Sequence, residues 1–346
     1  MPSAVAIAPP PAPKVVGPTT KGITRPTGSI PQSLIEEARA TKREPFDPKK
    51  HLNYQPPANI VSMKDIGLEG HGIAPNAVSD PFPLFTEEAI RQMRAEVFNE
   101  ETLRDCQYSS TFIKRMVRGM GPDRAPFVYH AWKSPEVLAK ISEIAGVELV
   151  PALDFDIGNI NISINDQNET SVQNSRSSDD DQTSAVAWHY DSYPFVVVTM
   201  LSNCDGMVGG ETALRLPDGS IRKVRGPNMG TAVVMQGRYI EHQALKAFGG
   251  RERISMVTAM RAKSPFVRDE TVLTGVRTTS DLSALYNQFT EYRLEIIEER
   301  IRSKMKEERQ REVAKRPFNI PVMRAFLTEQ IEFLQATLGE IYELED

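Results

Sequence analysis

The stretch Trp188-His189-Tyr190-Asp191 constrains this chain more than any other. Side chains two apart on a β-strand point to the same face. On a strand, the His189 imidazole and the Asp191 carboxylate are therefore aimed at one point, and a second imidazole, His242, follows later in the chain. Two imidazoles and one carboxylate occupy one face of a metal ion and leave the other open, a ligand set suited to Fe(II). Eleven residues after His242 comes Arg253-Ile254-Ser255. A planar guanidinium fork beside a hydroxyl is what the distal carboxylate of a dicarboxylate needs.

The segment 151–261 resembles the jelly-roll core of the Fe(II)/2-oxoglutarate-dependent dioxygenases. The matching pieces, in order, are His189-x-Asp191, Gly209-Gly210-Glu211-Thr212, Gly230-Thr231-Ala232-Val233-Val234-Met235, His242 and Arg253-x-Ser255. The resemblance implies an α+β fold: a double-stranded β-helix (jelly-roll, cupin-like) core with flanking N-terminal and C-terminal helices. It implies that His189, Asp191 and His242 are the catalytic metal ligands for Fe(II). It also implies that 2-oxoglutarate chelates the metal and is fixed by Arg253 and Ser255, with Arg251 as the fallback, and that O2 takes the last position. The implied activity oxidises a C–H bond of a small molecule by hydroxylation, desaturation or oxidative cyclisation, with decarboxylation of 2-oxoglutarate to succinate. The Pro/Ala-rich start, acidic loop and extra C-terminal helices are similar to biosynthetic members from fungi, which include enzymes forming aziridine rings from amino acids. Two other readings stand beside this one. The first is a cupin-type oxygenase or Zn(II) enzyme without 2-oxoglutarate, against which Arg253-x-Ser255 argues. The second is a non-catalytic scaffold with a vestigial site.

Length and charge bound the rest. The 346 residues divide into an N-terminal arm, partly disordered (1–80), helical support (81–147), a jelly-roll catalytic core (148–265) and a C-terminal helical extension (266–346). Apolar residues are 40% of the chain, enough for a sizeable core. A net charge of −5 with both signs dispersed gives no basic surface for nucleic acid. Cys106 and Cys204 are the two cysteines, which argues for a reducing compartment. No 18-residue apolar run is present and 1–16 lacks the pattern of a signal peptide, so the expectation is a soluble, cytoplasmic protein without a membrane partner.

Local signals fill in the elements. Thr86 is placed to cap a helix through Ile90, Met93 and Val97, and Ser134-Pro135 opens another that stops at Gly146. Between them Phe127-Val128-Tyr129-His130-Ala131-Trp132 is apolar, with His130 read as packed. His51 and His71 lie in the Pro-rich arm, lack partners at ligand spacing, and read as ordinary exposed or turn histidines. Along 159–164 polar and apolar residues alternate as in a half-buried strand. Asn161 is a candidate contact for the co-substrate and Asn159 for the substrate, against a solvated face or cross-strand ladder. Tyr193 shares the ligand face and is a candidate for the substrate pocket, against an aromatic core role. The polar segment 166–184 reads as a mobile loop and candidate lid, its Asp179-Asp180-Asp181 run as solvated charge. Pro217-Asp218-Gly219-Ser220 is a hairpin turn. After Pro265, Leu285, Phe289, Tyr292, Ile296, Ile297, Ile301 and Met305 form a helical apolar stripe, Arg316-Pro317 ends that helix, and Asn319-Ile320-Pro321 starts another. These two helices are open to three uses: covering the core, closing the site mouth, or forming a homodimer.

Overall fold

Ile160 and Ile162 leave their strand on one side and Asn159 and Asn161 on the other, and this alternation decides which side of the main sheet packs on helices. The computed structural model describes residues 9–19, 21–164, 184–204, 206–224, 228–245, 247–248 and 252–344. The expected lid at 166–184 and the fallback Arg251 lie outside the described residues, apart from Ser184.

Sixteen strands are present among the described residues. They are β1 (Ile60–Ser62), β2 (Asn76–Ser79), β3 (Phe82–Pro83), β4 (Gln107–Tyr108), β5 (Met116–Val117), β6 (Leu149–Pro151), β7 (Asn159–Ile164) and β8 (Ser184–His189), then β9 (Phe195–Met200), β10 (Val208–Gly209), β11 (Thr212–Arg215), β12 (Ile221–Val224), β13 (Thr231–Met235), β14 (Glu241–Leu245), β15 (Ala247–Phe248) and β16 (Glu252–Ala262). The large sheet runs β1-β2-β13-β9-β16-β7-β5-β4, with β3 beside β13 and β6 beside β16. A second sheet runs β12-β11-β14-β8, and β10 pairs with β15. All pairings are antiparallel.

The helices are α1 (Gln32–Ala40), α2 (Pro48–His51), α3 (Glu87–Val97), α4 (Glu100–Asp105), α5 (Gly121–Arg124), α6 (Pro126–Lys133), α7 (Pro135–Ala145), α8 (Leu282–Val313) and α9 (Ile320–Gly339). Thr86 caps α3 by accepting from the Ala89 amide, and Ser134 caps α7 by accepting from Val137. Gly146 ends α7 at φ 75°, where a side chain would be strained. One core lies on the outer side of the large sheet: Ile160, Ile162, Val197 and Ile254 pack with Ile90, Met93, Trp132 and Ile141 from the helices. A second lies between the sheets, where Val196, Val233 and Met235 meet Leu214, Val224 and Ile240. The architecture is thus mixed helix and antiparallel sheet, with two sheets face to face.

Two local expectations are corrected. Residues 60–79 are not a surface arm: β1 and β2 extend the large sheet, with Val61 and Val78 buried. The 127–132 stretch is helix α6, five of whose residues are buried, while His130 is exposed rather than packed. The near end of the N-terminal arm lies against the C-terminal half, where Arg238 donates to the Pro13 carbonyl and the Ala12 amide donates to Glu270. No described helix is long and apolar enough to cross a membrane.

One buried acid ties the helical layer together. Glu96, on α3, accepts from the Phe127 and Val128 amides at 2.9 and 3.0 Å, capping α6 from another helix. Burial pushes its carboxyl from 4.5 up to about 7, against the pull of those two amides and of Arg43. The folded state therefore holds this proton more tightly than the unfolded chain. Its contribution to stability is complete below pH 4.5 and lost as pH rises through 7. Relative to Glu96→Gln, the wild type should lose about 3 kcal/mol between pH 4.5 and pH 8, at 1.36 kcal/mol per pKa unit. Denaturant midpoints of both proteins across that range measure it, and parallel curves would exclude it.

Candidate metal centre

β8 and β14 are neighbours in the small sheet, and their register sets His189 opposite His242. Their rings lie 4.3 Å apart between centroids. Asp191 comes just past the end of β8, not on the strand itself, and its amide donates to the Gly237 carbonyl at 2.9 Å. That bond to the turn before β14 carries the carboxylate back toward the imidazoles. Asp191 Oδ1 sits 3.5 Å from His189 Nε2 and 3.6 Å from His242 Nε2. One ligand atom from each of the three residues lies within 4.8 Å of the others. This is the one such group of three among the described residues.

The imidazoles are held in the tautomer a metal needs. His189 Nδ1 is 2.8 Å from the Ala187 carbonyl, and His242 Nδ1 is 2.9 Å from the Ile240 carbonyl. Each Nδ1 thus donates to backbone, which leaves each Nε2 lone pair facing the shared point. Burial pushes the His242 imidazole down to about 4, so it is neutral and able to donate its lone pair at neutral pH. Burial also opposes charge on Asp191, but the facing His242 and His189 imidazoles outweigh it and hold the carboxyl below its usual range. For His189 burial favours the neutral ring, and the Asp191 carboxylate outweighs it and pushes the ring up.

Two observations test whether a metal ion fits. Separations of 3.5 and 3.6 Å are long for direct hydrogen bonds and leave room between the donors. Asp191 Oδ2 is buried without a hydrogen-bond partner among the described residues, a cost that a charge beside the carboxylate would offset. The residues present fit a divalent ion held by His189, Asp191 and His242.

Gly237, in the turn between β13 and β14, belongs to this site. A Cβ placed on it would sit 1.7 Å from Asp191 Oδ2 and 2.6 Å from its Cγ. Its φ is not left-handed, so space rather than backbone conformation demands glycine here. Phe112 is a second residue the sequence did not signal; its ring lies 6.5 Å from that of His189.

Arg253 and Ser255 alternate with Ile254 and Met256, which belong to the outer core, so they face the space between the sheets. Arg253 donates to the Gly210 carbonyl at 3.4 Å, just ahead of β11. It thereby reaches from the large sheet toward the strand that pairs Leu214 with His242. Among the described residues no carboxylate forms an ion pair with it. Burial pushes its guanidinium down from the ordinary value, and Cys204 is the charge partner that opposes this. Ser255 is buried opposite Asn161, which stands on the same side of the sheet.

Asn159 and Tyr193 are occupied by an internal network. The Asn159 amide donates to Asp156 Oδ1 at 2.7 Å, and the Tyr193 hydroxyl donates to Asp156 Oδ2. Arg118 pairs with the same carboxylate. Asp156 is fully buried, and the Asn159 carbonyl oxygen and Arg118 Nε, also buried, have no partner. Among the other histidines, His51 is buried with Nε2 2.8 Å from Glu44 and Nδ1 accepting from the Asp47 amide, a structural pairing within and just before α2.

No family model and no curated protein matches the chain. Several solved structures are similar to part of the chain. One is a prolyl-4-hydroxylase from Pseudomonas putida, at 17% identity and TM-score 0.34, over 51% of this chain and 88% of that one. AviO1 from Streptomyces viridochromogenes follows at 16% and 0.36, over 54% and 90%. A 2OG-Fe(II) oxygenase family oxidoreductase from Burkholderia pseudomallei matches at 15% and 0.31, over 42% of this chain and 65% of that one. At these scores the likeness is partial, and the donor set of this chain is what bears on its chemistry.

Proposed function

We propose that the chain is a non-haem Fe(II)- and 2-oxoglutarate-dependent oxygenase that oxidises a C–H bond of a small molecule, with its two facing sheets forming a double-stranded β-helix. The observation that supports this most is the convergence of His189, Asp191 and His242 with both Nδ1 atoms tied to backbone. When bound, Fe(II) with O2 supplies the oxidising chemistry, coupled to decarboxylation of 2-oxoglutarate to succinate. The share of the chain is to hold and to shield. His189, Asp191 and His242 fix the ion from one side and leave the other side to ligands. Arg253, without a carboxylate partner among the described residues, takes the distal carboxylate of 2-oxoglutarate, with the Ser255 hydroxyl and the Asn161 amide beside it. The inter-sheet core around Val196 and Leu214 keeps water from the reacting face. Asn159 and Tyr193, both bonded to the buried Asp156, brace the fold in this reading. Hydroxylation, desaturation and oxidative cyclisation are all open to a site of this kind. An amino-acid-derived or specialised metabolite is the substrate class proposed. Cys106 and Cys204 are not joined in a disulfide, which supports a reducing, cytoplasmic setting.

Succinate formation tests the reading without knowledge of the substrate. Purified protein supplied with Fe(II), O2 and 2-oxoglutarate should release succinate slowly, and His189→Ala should release none. Release that persists in His189→Ala would reject the assignment. Iron uptake without any succinate, over a library of candidate substrates, would favour the cupin-type enzyme.

A further inference from the structure

α9 has one side docked within the chain and an exposed apolar stripe beside it. Phe326, Gln330, Phe333 and Thr337 follow one another at steps of four, three and four, and the last three are buried. Arg293 of α8 holds this side: its guanidinium lies 3.5 Å from the Phe333 ring centroid and donates to Thr337 Oγ1 at 2.9 Å. The exposed stripe is Leu327, Ile331, Leu334 and Leu338, with the same steps, shifted by one residue. One residue is about 100° around a helix, so this stripe faces sideways from the docked one. Its four side chains are 51%, 54%, 45% and 72% exposed, and Ile320, seven residues before Leu327, is 62% exposed. Alternating three- and four-residue spacing of branched apolar side chains is the pattern of a coiled-coil seam. Soluble monomers rarely leave so continuous an apolar strip in water.

Charge indicates what covers it. From 315 to 324 the chain carries Lys315, Arg316 and Arg324 and no acid. From 329 to its end it carries Glu329, Glu332, Glu340, Glu343, Glu345 and Asp346 and no base. α9 itself carries Arg324 near its start and Glu329 and Glu332 farther on; the other charges flank it, and Glu340 is already paired with Arg277. A segment basic in its first half and acidic in its second repels a parallel copy of itself and attracts an antiparallel one. The seam has matching symmetry: with the order reversed, Ile331 falls opposite Leu334 of the second copy and Leu327 opposite Leu338. Such self-complementarity is what a twofold interface requires.

We propose that α9 pairs with α9 of a second copy of this chain, antiparallel about a twofold axis between Ile331 and Leu334. This surface is separate from the metal centre, so the two can fail independently.

The full-length protein should sediment at twice the chain mass at tens of micromolar, and the double variant Ile331→Glu, Leu334→Glu at one chain mass, with Fe(II) uptake unchanged. Cysteines read the orientation without disturbing the charge. In an antiparallel pair the two Leu327 positions lie about 16 Å apart, at 1.5 Å per residue, beyond disulfide reach. Leu327→Cys alone and Leu338→Cys alone should therefore stay uncrosslinked under mild oxidation, like the wild type, whereas their mixture should give a covalent dimer. A wild type that sediments as a monomer would overturn the proposal. So would a dimer in which Leu327→Cys crosslinks alone as fully as the mixture does.

Discussion

Replacing Gly237 with alanine is expected to abolish tight iron binding while the chain stays folded. The added methyl would stand 1.7 Å from Asp191 Oδ2, far inside van der Waals contact, and 3.1 Å from the Asp191 Cβ. The backbone at 237 is open to alanine, so the strain falls on the carboxylate and not on the turn. Asp191 is also tethered there through its own amide, which donates to the Gly237 carbonyl. It cannot leave the methyl group behind by a small slide and must turn its carboxylate away from the two Nε2 atoms. Loss of groups that merely orient a metal ligand costs roughly 10- to 100-fold in affinity. Displacing the ligand itself should cost at least that upper figure. Fe(II) affinity by equilibrium dialysis, beside circular dichroism and a melting curve, measures both halves of the expectation. A variant that melts as the wild type does and binds iron normally would mean that the carboxylate at 191 is not a ligand.

Replacing Arg253 with methionine should have the complementary effect: iron binding unchanged, and the requirement for 2-oxoglutarate raised. Methionine keeps the apolar stem and removes the charge and the fork. Truncating one partner of a buried, hydrogen-bonded charge pair costs about 2–5 kcal/mol, or roughly 30- to 4,000-fold in the 2-oxoglutarate concentration needed. Arg253→Lys should recover only part of this, because a point charge cannot bond a carboxylate bidentately. The concentration dependence of succinate release gives the number. An unchanged requirement would move the role to another base, and the first to test is Arg251.

The metal site was legible because its chemistry needs particular residue types at particular intervals. His189 and Asp191 are two residues apart, and an antiparallel register brings His242 opposite His189. What escaped was what has no periodicity to show. β1, β2 and β3 are two to four residues long, too short for an alternating pattern, and the prolines around them argued for loop. α6 is only eight residues long, and its exposed face is just Pro126, His130 and Lys133, so one polar residue inside the apolar run from Phe127 to Trp132 was too little to mark a helix. Gly237 escaped for a different reason. A glycine after a strand signals a turn whether it serves the backbone or makes room for a neighbour, and only coordinates separate the two. Likewise, nothing local in the sequence joined Asp156 to Arg118 and Tyr193 across the fold.

The central claim is that His189, Asp191 and His242 hold one Fe(II) and that 2-oxoglutarate joins it there. Anaerobic titration of the protein with Fe(II), followed by 2-oxoglutarate, addresses both at once through visible absorption. A charge-transfer band should grow on adding the second component, saturate at one equivalent of iron per chain, and be absent from Asp191→Ala. Iron that binds without producing the band, or a band undiminished in Asp191→Ala, would contradict the account.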